Sequence, residues 1–484
     1  MAENSFSNWG GNQTDNNREA EITFSNVKIL DATGEDLYSG DVCISGNRIK
    51  SITRSGNGRY SWNSSGGKSY DCSGMTLMPG LIDAHLHLSW NNAPGINPIQ
   101  MMPLEEHTLS CVEMAKVVLD AGFTSGRGAA AAKPRLDVVI RDAINAGRFP
   151  GPRYTAACPE ITTVGGLGDS ELPHISHEGL NLGIVVSGTD EVRRAVRQMI
   201  KWDVDTIKLN LSGEEITGMP AEVTQFSDEE LTIAVSEARR RNKVLAAHAR
   251  SKESIKQCIK HGIDTIYHAS FTDEETLDML EAAKDKHIVA PGLAWLINTA
   301  RNAGEYGIKP GSPMADAYER ELEAAVESMK NMHKRGIRVL IGGDYGFAWT
   351  PHGTNAKDLE YFVDMLGMSS MEAIQAGTMF GGQIMGMGNE LGLIKEGYLA
   401  DLLLMFIYAE VLGMVAIYFR SHVLPVIYPL FIGITALARL IVLQGKDSMP
   451  EQLVFEAGSI LLLSFAALLL KDVKVTLTHA KKKS

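Results

Sequence analysis

Short apolar runs recur through the middle of this 484-residue chain, centred on 82–88, 122–127, 154–162, 206–211, 244–249, 265–269, 288–293 and 339–343. Between several of them lie amphipathic stretches with helical periodicity, such as 228–241 and 314–335. Strands alternating with helices build parallel sheets, because the crossover between parallel neighbours is long enough to hold a helix. Eight such units over roughly 300 residues are what a closed barrel needs. The expectation for residues 79–390 is therefore an α/β fold, a (β/α)8 TIM-type barrel. An open doubly wound sheet uses the same elements, but it gives no reason for ligand-type side chains to recur near so many strand ends.

The flanks have other textures. Residues 1–20 are polar and rich in Asn and Ser, with neither a basic segment nor an apolar core of the kind export signals carry, and read as a disordered lead-in to a cytoplasmic enzyme. Residues 21–78 alternate in short segments broken by Gly, Asn and Asp, the signature of a small β unit of sandwich type, completed in part by 391–404. Past Asp401 the composition turns apolar: 402–419, 423–443 and 453–470 are each at least eighteen residues long, with single charges at Glu410, Arg439 and Glu456. The direct reading is a C-terminal bundle of hydrophobic helices over 405–473, three candidate transmembrane spans that attach the chain to an inner membrane, then a basic tail over 474–484. Buried core helices are the alternative.

The formal charge of −12 repels nucleic acid, and the Lys481–Lys483 tail is too short to reverse that. Five cysteines without a C-x-x-C pair suit a reducing compartment and argue against a disulfide framework. No G-x-S-x-G elbow supports a serine hydrolase.

Chemistry concentrates at the strand ends. His85 and His87 close the run Met78-Pro79-Gly80-Leu81-Ile82-Asp83-Ala84-His85-Leu86-His87, and on an extended strand residues i and i+2 share a face. Lys208, His248, His268 and Asp344 stand near the ends of later runs. Each alone reads as an ordinary hydrogen-bonded structural residue. All six together read as a site at the barrel mouth. Neutral imidazoles suit zinc and similar metals, an aspartate adds an oxygen ligand and a proton acceptor, and a lysine desolvated in the barrel can react with carbon dioxide to become an anionic carbamate.

These pieces resemble the metal-dependent amidohydrolase superfamily over about residues 21–404, in the branch of prolidase-like carboxypeptidases, ochratoxinase and molinate hydrolase; the closing segment Leu391-Gly392-Leu393-Ile394-Lys395-Glu396-Gly397-Tyr398-Leu399-Ala400-Asp401-Leu402 belongs to the same match. The resemblance implies two divalent metal ions, usually Zn2+: His85, His87 and Asp344 on one, His248 and His268 on the other, and carboxylated Lys208 bridging. It also implies hydroxide attack on an amide carbonyl with Asp344 as general base and then acid, and a homo-oligomeric enzyme. The expected substrates are small carboxylate-bearing amides: Xaa-Pro dipeptides, N-acyl amino acids or ochratoxin-like compounds.

Several positions depart from that pattern. Relatives carry Gly-Gly-His-Gly after strand three where this chain has Gly165-Gly166-Leu167-Gly168, with His174 and His177 as nearby substitutes. Relatives often show Val-Arg-Asp at the end of strand two where this chain has Gly126-Arg127-Gly128, and Arg127 serves either to bind a substrate carboxylate or to brace the barrel. Asn210 and His352 are further candidate substrate contacts. The stretch from about 405 to 473 resembles the phosphate-starvation-inducible PsiE family of membrane proteins. A cytoplasmic basic tail after three spans would leave the barrel outside without an export signal, and the reading we adopt is that two unrelated coding pieces join near residue 404. One continuous transcript and a membrane-bound 52.6 kDa product would count against that. The competing functional reading is a PsiE-type membrane protein whose barrel only binds a ligand.

Overall fold

The computed structural model describes residues 21–55, 67–171, 174 and 181–405, with short pieces at 423–425, 458–459, 461–462 and 474–476. The chain opens with an antiparallel meander, β1 (Glu21–Ile29), β2 (Tyr38–Ser45) and β3 (Arg48–Arg54). Then β4 (Lys68–Asp71) and β5 (Thr76–Pro79) run parallel to β1. Val27, Ile29, Val42, Ile49 and Leu77 are buried beneath this sheet.

The barrel follows: β6 (Leu81–Leu86), β7 (Phe123–Gly128), β8 (Arg153–Thr155), β9 (Ile161–Thr163), β10 (Ile184–Val186), β11 (Thr206–Asn210), β12 (Ser212–Glu214), β13 (Met219–Thr224), β14 (Val244–Ala249), β15 (Thr265–His268) and β16 (Ile288–Ala290). Parallel pairing gives two arcs, β6-β7-β8 and β10-β9-β11-β14-β15-β16. Backbone hydrogen bonds close them into a ring. On one side the Asp205 amide donates to the Ala156 carbonyl at 2.8 Å; on the other Val339 bridges Val289, and the Ile341 carbonyl accepts from the Ala84 amide at 3.1 Å.

Two barrel strands differ from the sequence reading. The run 154–162 is not one strand but β8 and β9, separated by a segment containing Pro159, which lacks the N–H a continuous ladder needs. The eighth run is held by single contacts rather than a ladder: a Cβ on Gly342 would lie 2.8 Å from the His85 backbone nitrogen, so only glycine lets the two backbones approach. The hairpin β12–β13, which follows β11, had no counterpart in the sequence reading.

The outer helices stand where the periodicity puts them. Asp228–Arg239 starts at a capping box, in which Ser227 Oγ accepts from the Glu230 amide and the Glu230 carboxylate accepts from the Ser227 amide at 2.9 Å. Pro313–Lys334 starts at Ser312 with proline in its first turn. Ile82, Ala84, Ala246, Tyr267 and Leu340 pack with Ile384, Met385, Leu391 and Leu399 as an apolar plug.

After the plug the chain returns to the small sheet. Residues 397–400 run along β3, with the Ala400 amide on the Asn47 carbonyl at 2.8 Å, and β17 (Leu402–Met405) lies beside β5. The sheet is a single layer of six strands, in the order β17-β5-β1-β2-β3 with β4 on β1. Residues 402–405, expected to begin a membrane span, are thus a sheet strand. Residues 423–425, expected to begin the second span, form β18 (Val423–Pro425), antiparallel to β19 (Lys474–Thr476). Among the described residues no helix is long and apolar enough to cross a membrane. The rest of the expected helical bundle lies outside the described residues. Contacts divide the chain into two compact units, ending and beginning at Leu403 and Leu404.

Candidate metal centre

A cavity with about 620 Å³ of empty volume opens at the C-terminal ends of the barrel strands, and His85, His87, Lys208, His248, His268 and Asp344 all line it. The strands deliver them one by one. His85 belongs to β6 and His87 follows it; Lys208 lies in β11, His248 in β14, His268 ends β15, and Asp344 follows the eighth strand position. His268 and Asp344 hold left-handed backbone, with φ of 72° and 60°. Non-glycine residues rarely keep such angles unless the surrounding packing imposes them.

Asp344 Oδ1 is 3.2 Å from His87 Nε2 and 3.6 Å from His85 Nε2. His87 stacks on Trp90 with ring centroids 4.3 Å apart, and its Nδ1 lies 3.0 Å from the Ala130 carbonyl. A carbonyl only accepts, so Nδ1 carries the hydrogen, and in the neutral ring Nε2 turns a lone pair towards the carboxylate. His248 has the opposite arrangement: its Nε2 is 2.9 Å from the Gly213 carbonyl, which leaves Nδ1 as the lone-pair nitrogen. Arg250 Nε is 3.3 Å from that same Nε2, a close contact, since Nε2 cannot both donate to the carbonyl and accept from the guanidinium. The ring centroids of His248 and His268 are 4.4 Å apart, and His85 stacks on Tyr267 at 3.9 Å.

Burial sets the protonation. It pushes His85, His248 and His268 well below the usual imidazole range, so they are neutral at pH 7, the form that ligates metals. Burial also lowers the Lys208 amine, against the opposing pull of Glu160 and Asp344; Lys208 Nζ sits 4.6 Å over the Tyr267 ring. For Asp344 burial acts upward, but His85 and His87 outweigh it and hold the carboxyl well below its ordinary value.

These residues fit a cation. Ligand atoms of His85, His268 and Asp344 lie within 4.8 Å of one another. Nδ1 of His268 is buried with no hydrogen-bond partner, a costly state for a polar atom. Lone pairs of neutral rings facing a carboxylate repel unless a positive charge lies between them. Two atoms that each sit about 2.1 Å from one ion are roughly 3.2–3.6 Å apart, and those are the separations seen from Asp344.

Three expected substrate contacts lie elsewhere. Arg127 is buried off the cavity wall, giving Nη1 to the Ile384 carbonyl of the plug, while its Nε and Nη2 have no hydrogen-bond partner among the described residues. Asn210 Nδ2 holds the Leu167 carbonyl at 2.8 Å, and His352 Nε2 is 2.9 Å from the His87 carbonyl. Both support backbone beside the site and do not line it. His174 is exposed, and His177 lies outside the described residues.

The sequence reading missed two acidic wall residues, Glu160 and Glu214, and the aromatic wall of Trp295 and Phe347. Glu214, on β12, accepts from Tyr318 and from Trp295 Nε1 at 3.2 Å, and pairs with Arg250, which is 0% exposed and also pairs with Glu321. Burial raises the Glu214 carboxyl to about 7 despite Arg250.

The sequence pattern of the Amidohydrolase family matches residues 76–420, most of the chain. The chain belongs to the amidohydrolase family. This amidohydrolase is 28% identical to ochratoxinase of Aspergillus niger over 351 residues, 68% of this chain and 69% of that one. Among solved structures it is similar to a prolidase complexed with N-methylphosphonate-L-proline, with a TM-score of 0.71 and 25% identity over 80% of this chain and 92% of that one. A Xaa-Pro dipeptidase with methionine bound in its active site gives a TM-score of 0.68 and 26% identity, covering 80% and 94%. The amidohydrolase is accordingly a hydrolase acting on carbon–nitrogen bonds of amides. The pattern of the Phosphate-starvation-inducible E family matches residues 391–475 and overlaps the end of the first match.

Proposed function

We propose that this amidohydrolase is a binuclear metal enzyme that cleaves dipeptide-like amides, Xaa-Pro dipeptides above all, with N-acyl amino acids and ochratoxin-like amides as the neighbouring substrate classes. His85, His87 and Asp344 would hold one divalent ion, His248 and His268 the other, and Lys208, as a carbamate, would join them. When bound, such ions supply Lewis acidity and a water acidified to near neutrality. Zinc is the first choice for imidazole and carboxylate donors, with manganese or cobalt as substitutes.

The chain's own residues supply the rest. Asp344 takes a proton from the attacking water and delivers it to the leaving nitrogen. Trp90, Trp295 and Phe347 give the cavity an apolar wall that limits competing water. Ser170 and Thr217 offer hydroxyl groups there to a substrate's polar end.

The observation that carries this reading is the meeting of four buried histidines, Lys208 and Asp344 in one cavity, with Asp344 Oδ1 3.2 and 3.6 Å from two imidazole nitrogens, separations that suit a shared cation. The test is metal analysis of the purified full chain together with hydrolysis of Xaa-Pro dipeptides and N-acyl amino acids. Two metals per chain, with metal and turnover lost together in His85→Ala and Lys208→Ala, are the expected result. A folded barrel that takes up no metal and cleaves neither class would leave the ligand-binding, PsiE-type reading in its place. Assembly into a homo-oligomer and the cytoplasmic or membrane-attached location belong to the same proposal, checked by light scattering and by fractionation.

A further inference from the structure

Glu160 has no role in the proposed metal centre. It sits on the segment between β8 and β9, pinned by its own carbonyl, which accepts from the Ile184 amide at 2.7 Å. The residue is 7% exposed and lines the cavity together with Lys208. Its carboxylate makes no hydrogen bond and no close ion pair among the described residues, and the opposite charge that acts on it is that of Lys208. On one side it is left open by Gly168, where a Cβ would come 3.0 Å from Oε1 and where φ is +97°.

The other acids of the wall are engaged. Glu214 is held by Tyr318, Trp295 and Arg250, and Asp344 faces His85 and His87. Lys208 is the sole Lys or Arg among the described lining residues, and the proposed bridge uses it. Arg250 is sealed between Glu214 and Glu321, and Arg127 lies off the wall. With Lys208 taken up as an anionic bridge, the buried Glu160 carboxylate loses its opposite charge, which is unfavourable, and a cation brought by the substrate removes that cost.

We propose that Glu160 is a specificity residue that binds the free α-ammonium of a dipeptide substrate, so that the cavity selects unblocked dipeptides over N-acyl amino acids. This rests on the amide-hydrolase reading and narrows it. The side of the substrate bearing the positive charge meets Glu160 at the wall, while the scissile carbonyl reaches the histidines and Asp344. A charge-assisted hydrogen bond of this kind corresponds to a preference of about 10- to 100-fold.

The test uses the metal-loaded full chain and a pair of dipeptide analogues with a ketomethylene group in place of the amide, one with a free amino end and one acetylated. Binding is read by quenching of tryptophan fluorescence, since Trp90 and Trp295 line the cavity. Wild type should bind the free-amino analogue at least tenfold more tightly, and Glu160→Gln should bring the two within threefold of each other at unchanged metal content. A wild-type ratio near one, binding of neither analogue, a ratio unaltered by Glu160→Gln, or loss of metal in that variant would overturn the assignment. Because wild type alone supplies the first readout, a poorly folded variant does not rescue the idea. Turnover separates the two proposals. Equal cleavage of blocked and unblocked dipeptides removes the Glu160 role and keeps the hydrolase, whereas absence of cleavage removes the hydrolase and leaves the binding ratio to decide on Glu160.

Discussion

Replacing Arg250 with methionine leaves two buried glutamates facing each other. In the wild type the guanidinium is 0% exposed and joins Glu214 on the β12–β13 hairpin to Glu321 on the helix Pro313–Lys334. Methionine nearly fills the volume but offers neither charge nor donor. Removing one member of a buried ionic group costs about 3–5 kcal/mol, because the remaining charges stay desolvated. The remaining partners, Ser270 on Glu321 and Tyr318 on Glu214, are neutral donors and offset little of that. The loss depends on pH: the Glu214 carboxyl, already raised by burial, loses the Arg250 charge that opposes that rise, so the folded variant binds more protons and its stability falls as pH rises. Urea unfolding of the full chain, followed by circular dichroism, should therefore show a larger loss at pH 8 than at pH 6. The triple variant Glu214→Gln, Arg250→Met, Glu321→Gln should recover most of it. A loss below about 1 kcal/mol, or one equal at both pH values, would refute the account.

Glu214→Gln in the wild-type background should flatten the pH dependence of stability between 4.5, the ordinary value, and about 7, the folded one. In that window the folded carboxyl holds its proton while the unfolded one has released it, so wild-type stability declines as pH rises; matched denaturation series across the range check this. Asp344→Asn should lower kcat by about 10²- to 10⁴-fold, the usual contribution of a general base; unchanged turnover in steady-state kinetics would remove Asp344 from proton transfer. All five cysteines are free and buried, and burial raises the thiols of Cys111, Cys158 and Cys258. A thiol reagent should thus label none of them in the native protein within minutes and all five in guanidinium.

The barrel and the placing of six side chains around one cavity were legible in the sequence, because both follow from local pattern. An apolar run announces a strand, and strand ends in a barrel point to a common mouth. What escaped notice has no local signal. Glu160 follows a proline inside a run read as continuous strand, and Glu214 stands in Glu214-Glu215, which looks like a solvated turn until the hairpin folds over Arg250. Arg127 was ambiguous because a sequence does not say how far below the mouth a side chain lies; the Ile384 carbonyl it meets is 257 positions later. Residues 402–405 continue into a long apolar stretch, and hydropathy alone does not separate the edge of a sheet from the start of a span.

That last strand makes the chain's architecture a clasp. The sheet begun by residues 21–79 receives its final member only after the whole barrel has been made, since β17 adds itself at β5 from residue 402 onward. A ribosome must therefore deliver more than 300 further residues before this edge is covered, and until then β5 exposes unpaired backbone of the kind that recruits strangers. Any shortened version designed to shed the apolar stretch should cut after Met405 and not before Leu402, or it will discard the latch along with the tail.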